Sequence, residues 1–206
     1  ATIYQQKISV TGAGRTDGDG PRRLTSLGLE PNSYAAVIAR AEPENSLLEI
    51  VEAFSARPRG IRLVVLGTLR PEQNQYHRQV IEAASSAVLF PGANHDREVI
   101  HALRLHCQLF INWQNNRFNR WVAGDAARYF VDTEQCTTQL DRLLDDQTIL
   151  DRMRAAARAR HAEQFTWERI LQEYDNLLGM WSHPDNQIPA DEPVEAVEPG
   201  ELLTTS

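Results

Sequence analysis

The sequence predicts a layered α/β domain, a parallel sheet flanked by helices, and three observations predict it. Short apolar runs rich in β-branched residues recur at Ala35–Ile38, Ile61–Leu66, Ala87–Phe90 and Cys107–Ile111. Stretches with apolar residues at helical spacing separate them. Pro, Gly or Asn punctuates the boundaries, as at Pro43, Gly67, Pro71, Pro91-Gly92 and Asn94. Runs of that length suit strands buried on both faces, and strands alternating with helices build parallel sheets through right-handed crossovers.

The stretch from Ala35 to Gly67 is the first complete strand–helix–strand unit. Leu47, Leu48, Ile50, Val51 and Phe54 recur at helical intervals between its two strands, with Glu49 and Glu52 on the other side. In parallel sheets ligands bind where strands end and helices begin. Arg40, Glu44 and Asn45 follow the first strand, and Gly67 closes the second. Residues 1–33 read as a lead-in, with a short strand at Lys7–Val10 and a glycine-rich loop from Gly12 to Pro21. The spacing of Gly12-Ala13-Gly14 does not make a dinucleotide-binding Gly-x-Gly-x-x-Gly. A short helix from Arg22 to Leu29 is stopped by Gly28 and Pro31.

Beyond Gly67, a helix is expected from Pro71 to about Ser85, with Pro71 as its first residue and Val80, Ile81 and Ala84 as its apolar face. Asn94 or Asp96 caps the next helix, which runs to Leu105. After Cys107–Ile111 the repeat breaks: Asn112–Trp121 is polar and aromatic, with no apolar run. Ala127–Val131 reads as a last strand. Thr133–His161 reads as helical, with Leu140, Leu143, Leu144, Ile149, Leu150 and Met153 as its core stripe and the basic run Arg152–His161 as a solvated face. Thr166 caps a final helix carrying Ile170, Leu171, Tyr174, Leu177 and Leu178. From His183 the chain is Pro-rich and acidic and reads as disordered. The division is therefore a lead-in (1–33), a Rossmann-like domain (34–182) and an acidic tail (183–206).

Composition narrows the function classes. The formal charge of −7 is concentrated at the end: six of the 28 acids and none of the 21 Lys and Arg lie beyond His183. The rest is close to neutral, which argues against a nucleic-acid binder with a broad basic face. No apolar run is long enough to span a bilayer, and the first residues lack the pattern of a signal peptide. A chain without an initiator Met reads as a processed, trimmed or excerpted piece. Two cysteines, Cys107 and Cys136, make no disulfide framework, so a reduced cytoplasmic setting is expected, with the inner face of the membrane as a peripheral location. Cys107 lies in an expected buried strand and reads as a small core residue. No metal or cofactor site is expected. His95, His101 and His106 lack His-x-x-x-His spacing, and all six histidines read as surface or capping residues. There is no Gly-x-Ser-x-Gly hydrolase elbow.

Five segments occur in a telling order: Arg40-Ala41-Glu42-Pro43-Glu44-Asn45, the Gly67 strand end, Asn116–Arg120, Gly124–Phe130 and Phe165-Thr166-Trp167-Glu168. Together they resemble the C-terminal half of a family-4 glycosyltransferase of the rhamnosyltransferase-like branch, over about residues 30–180. The resemblance implies a GT-B donor-binding domain that holds a UDP-, GDP- or dTDP-linked sugar, with a separate N-terminal half for the acceptor. It implies donor contacts from Arg40, Glu44, Asn45 and Gly67. A guanidinium offers two parallel donors to a diphosphate, and glycine lets backbone come close to a nucleotide. The structural alternatives are an Arg40 salt bridge to Glu42 or Glu44, a plain turn at Gly67, and a loop pinned by Asn119 and Arg120.

Two departures stand out. The wider family has Lys where Asn45 stands, and Asn cannot neutralise a phosphate. The glycine-rich loop, helix and strand that the family places between segments like Cys107–Ile111 and Asn116–Arg120 are missing; that loop and helix N-terminus would cradle the donor phosphates. No catalytic residue is evident. The expectation is therefore a glycosyltransferase by descent that is incomplete in this chain. The alternative is a non-catalytic Rossmann-like binding or interaction remnant, in which the aromatic residues of Asn112–Trp121 cover exposed sheet.

Overall fold

The structure, a computed structural model, describes residues 2–4, 19–112 and 117–182. It divides into two compact units, one ending at Phe165 and one beginning at Thr166. In chain order the first unit contains β1 (Thr2–Tyr4), α1 (Gly20–Thr25), β2 (Tyr34–Ile38), α2 (Leu47–Ser55), β3 (Arg62–Leu66), α3 (Gln75–Glu82), β4 (Val88–Gly92), α4 (Arg97–His106), β5 (Leu109–Asn112), α5 (Arg117–Ala123), β6 (Ala127–Tyr129), α6 (Thr133–Asp145) and α7 (Gln147–Gln164). The expected strand at Lys7–Val10 and the tail beyond His183 lie outside the described residues.

The strands form one sheet in the order β4-β3-β2-β5-β1-β6. β4, β3, β2 and β5 are parallel, as the alternation of strand and helix predicts. Both faces are covered. Ala35 and Val37, Leu63 and Val65, and Leu109 and Ile111 face a core shared with α2, α6 and α7. Tyr34 and Ala36, Val64 and Leu66, and Phe110 face α1 and α4. The buried positions of such a strand are apolar on both faces, which is why these strands read as continuous runs. Tyr34 meets the cost of burying a hydroxyl by donating to the Leu103 carbonyl at 2.9 Å.

Arg59 ties α2 to α6. Its side chain is 2% exposed and pairs with Asp141. It also donates to the carbonyls of Ala53 and Phe54, at the last turn of α2, at 2.7 and 3.2 Å. A cation there satisfies orphan carbonyls and the helix dipole together.

Two helix boundaries after β3 differ from expectation. The helix after β3 begins at Gln75, because the Asn74 side chain accepts from the Tyr76 and His77 amides at 2.8 and 3.3 Å. Its buried face is His77 and Val80, and Ile81 is 38% exposed. The region Thr133–His161 is two helices, broken at Asp146, whose carboxylate accepts from the Thr148 amide at 2.8 Å and starts a new helix. A strand that the sequence reading did not include, Thr2–Tyr4, is inserted between β5 and β6 and antiparallel to both.

The second unit is described by α8 (Trp167–Ser182). Thr166 caps it as expected, its hydroxyl accepting from the Arg169 amide at 3.4 Å. Trp167, Leu171, Tyr174, Leu177, Leu178 and Trp181 are exposed along one stripe of this helix.

Candidate functional site

The C-terminal ends of β2, β3 and β4 lie side by side, and their backbones are joined beyond the ladder. Ala39 donates to Leu66 O at 3.2 Å, and Gly67 donates to Gly92 O at 3.3 Å. A Cβ at Gly67 would stand 2.4 Å from the Ala39 carbonyl oxygen. The glycine is thus required by a close approach, and the approaching backbone is the protein's own.

The loop after β2 is drawn in around one carbonyl. Arg40 O accepts from the Glu42 amide at 2.9 Å and from Asn45 Nδ2 at 2.6 Å. Pro43–Asn45 makes a single 3-10 turn, and Ser46 takes a left-handed conformation at φ 48° before α2 begins. Asn45 is 1% exposed, and its Oδ1 is buried with no hydrogen-bond partner among the described residues. The amide cannot turn over, because Oδ1 would then face the Arg40 carbonyl. The Nδ2 end of this side chain is committed inside the loop, and the Oδ1 end is buried with it. Its work is to hold the backbone of Arg40.

The side chain of Arg40 is treated differently. Arg40 and Glu44 are both exposed. Among the described residues no ion pair joins Arg40 to Glu42 or Glu44, so the alternative of a salt bridge at the strand end is not what the structure shows.

Three residues that the sequence reading did not single out complete this edge. Tyr76, from the first turn of α3, places its phenolic oxygen at the start of α2, where it accepts from the Leu48 amide at 3.0 Å. Burial, above all, pushes this phenol up from its ordinary range. His77, read from sequence as a surface or capping residue, is 9% exposed and joins two loops. Its Nδ1 accepts from the Arg70 amide at 2.8 Å, and its Nε2 lies 2.8 Å from Ala41 O. An amide can only donate, so Nδ1 is the bare nitrogen and Nε2 carries the proton given to Ala41. Asn74 sets both residues by capping α3. An Asn three residues beyond a Pro is a readable cap, and it was the available signal for this cluster.

The helix starts at this edge are consequently filled by protein atoms. Tyr76 serves α2, Asn74 serves α3, and Asp96 serves α4 by accepting from the Glu98 amide at 2.9 Å. An open helix N-terminus attracts phosphate through free N–H groups and dipole; a filled one offers less of both.

Of the segment Asn116–Arg120 the structure describes Arg117–Arg120, and this stretch and Gly124–Phe130 lie at the opposite end of the sheet order. The Arg120 guanidinium lies 4.5 Å from the centre of the Tyr129 ring, joining α5 to β6. Arg160 donates to Val122 O at 2.8 Å and to Trp121 O, so the basic run of α7 is not wholly a solvated face. Gly124 has φ 50°, and a Cβ there would meet the Arg160 side chain at 3.2 Å. Neither Cys107 nor Cys136 is in a disulfide, and both are fully buried. Burial pushes the Cys136 thiol up to about 12, which makes it inert. No cluster of metal-ligating side chains occurs among the described residues, and no helix among them is long and apolar enough to cross a membrane.

No family model matches the sequence, and no curated protein matches it. Among solved structures the chain is similar to Anabaena Alr3699/HepE, crystallised in complex with UDP and glucose. The TM-score is 0.64 at 15% identity, over 84% of this chain and 55% of that one. The chain thus spans about half the length of this neighbour. At that identity the likeness shows a shared α/β fold.

Proposed function

We propose that this chain is the nucleotide-sugar-binding half of a GT-B glycosyltransferase of the family-4, rhamnosyltransferase-like kind. The reaction it serves moves a hexosyl or deoxyhexosyl group from a UDP-, GDP- or dTDP-sugar to a glycan or lipid-linked acceptor in polysaccharide biosynthesis. The acceptor is held by a separate half. The carrying observation is Arg40: an exposed guanidinium with no partner among the described residues, on a backbone locked by Asn45, at the strand-end edge where parallel sheets bind ligands. Likeness in fold to a protein crystallised with UDP and glucose supports the same reading.

In this reading Arg40 pairs with the diphosphate, and Glu44, exposed beside it, accepts from sugar or ribose hydroxyls. Asn45 acts by positioning Arg40, and Gly67 by letting the two strand ends close. A second reading, a non-catalytic binding remnant, is favoured by the filled helix starts, which leave the edge poor in phosphate donors.

Calorimetric titration with UDP, GDP and dTDP separates the two. The donor-site reading expects binding of one nucleotide that weakens at least about tenfold in Arg40→Ala, since hydrogen bonds to charged groups contribute about 1.5–3 kcal/mol. No heat from a chain shown by circular dichroism to be folded leaves the remnant.

A further inference from the structure

The two strands flanking β1 run in the same direction, since β1 is antiparallel to each. They leave a gap one strand wide in a sheet whose other members are all parallel. The chain does not fill that gap from the segment between β5 and β6; it fills it from far away in sequence. β1 opposes β5 through Thr2↔Asn112, Ile3↔Ile111 and Tyr4↔Phe110, and β6 through Thr2↔Tyr129, Ile3↔Arg128 and Tyr4↔Ala127. β6 pairs with no other described strand.

We infer that the space between β5 and β6 is a strand-acceptor slot, and that its occupant is the Thr2–Tyr4 segment of this chain. The slot is defined by backbone. In an antiparallel ladder both polar groups of one residue point to one neighbour, and those of the next residue to the other. Ile3 therefore serves one flank, while Thr2 and Tyr4 serve the other. Three residues satisfy two edges that would otherwise face each other across about 9.5 Å, two strand spacings, too far for β5 and β6 to pair directly. Unpaired edges of this kind recruit extended peptide. Because recognition runs through main-chain groups, the slot accepts the same segment offered on a separate molecule. This inference does not depend on the donor-site reading: β1 lies at the other end of the sheet from Arg40.

Three measurements test it. In the intact chain, amide exchange at Thr2–Tyr4 is expected to be slow; rapid exchange there overturns the inference whatever else is found. A chain lacking residues 1–4 is expected to lose roughly 10 °C or more in Tm, from the loss of about six backbone hydrogen bonds, with exchange at Ala127–Tyr129 accelerated. An unchanged Tm and unchanged exchange also overturn it. A synthetic peptide of residues 1–7 is then expected to restore both readouts, or to restore folding if the shortened chain does not fold alone. The same peptide with Ile3→Pro, which lacks one N–H, should fail. Equal rescue by both peptides, or rescue by neither, counts against the slot.

Discussion

The two ends of the sheet are built on different terms. At one end β4, β3, β2 and β5 run parallel and are buried on both faces between helices. At the other end β1 and β6 are three residues each and antiparallel. There much of the attachment of β6 and its neighbours is polar, through Arg120 over Tyr129 and Arg160 on the carbonyls that end α5. The first end is secured by apolar layers that no single residue controls. The second relies on a few directional contacts.

Substitutions at each end put that contrast at risk. The largest effect is expected from Gly67→Ala, in the parallel half, because the new methyl group would meet backbone at 2.4 Å and the two strand ends would have to part. A loss of about 3 kcal/mol in urea unfolding, or roughly 6–12 °C in Tm for a chain of this size, is expected. An unchanged midpoint would mean that the strand ends are not fixed to each other. Arg160→Ala is expected to cost about 1 kcal/mol, the usual value for charge-assisted bonds reduced for partial exposure, and Arg160→Lys should not recover it, lacking the planar fork that reaches both carbonyls. Arg158→Ala, on an exposed side chain of the same helix, should be neutral; equal losses for Arg158 and Arg160 would erase the distinction between fastening and solvated face.

The smallest effect is expected at Asp146. Its carboxyl is held below its ordinary 3.8, first by the Thr148 hydroxyl and then by the Thr148 amide. The unfolded chain therefore takes up the proton more readily. The contribution of this cap is complete above about pH 4 and fades as pH falls through the lower folded value. The difference in unfolding midpoint between the native chain and Asp146→Asn should accordingly be level above pH 4 and shrink below it. A difference that stays level in acid would separate α7 from this cap.

What the sequence revealed follows the same division. Where both faces of a strand are buried, its buried residues are apolar, and Tyr34–Ile38 or Leu63–Leu66 can be recognised without knowing the neighbours. Strand ends follow from the runs, so Arg40, Glu44, Asn45 and Gly67 were correctly placed at one edge. Their conduct was not legible. Asn45 is buried because a single 3-10 turn folds it under Arg40, and nothing in its neighbours announces that turn. His77 acts on Ala41 and Arg70 in two different loops, a relation that spacing along one helix cannot express. The break at Asp146 was hidden because Leu143, Ile149 and Leu150 are buried in the same core on either side of it. β1 was missed because three residues carry no period, and both its partners are more than a hundred positions away.

The imidazole of His77 has a consequence for how the strand-end edge behaves over time. It grips one loop by a bare nitrogen and the other by a protonated one. The loop after β2 therefore cannot swing out without pulling on the loop after β3, and the two share a single motion rather than two. Their ordering is completed when the chain folds. A ligand bound at Arg40, as the donor-site proposal has it, would meet a surface whose backbone entropy has already been surrendered, and little of its binding free energy would be lost to arranging the loops.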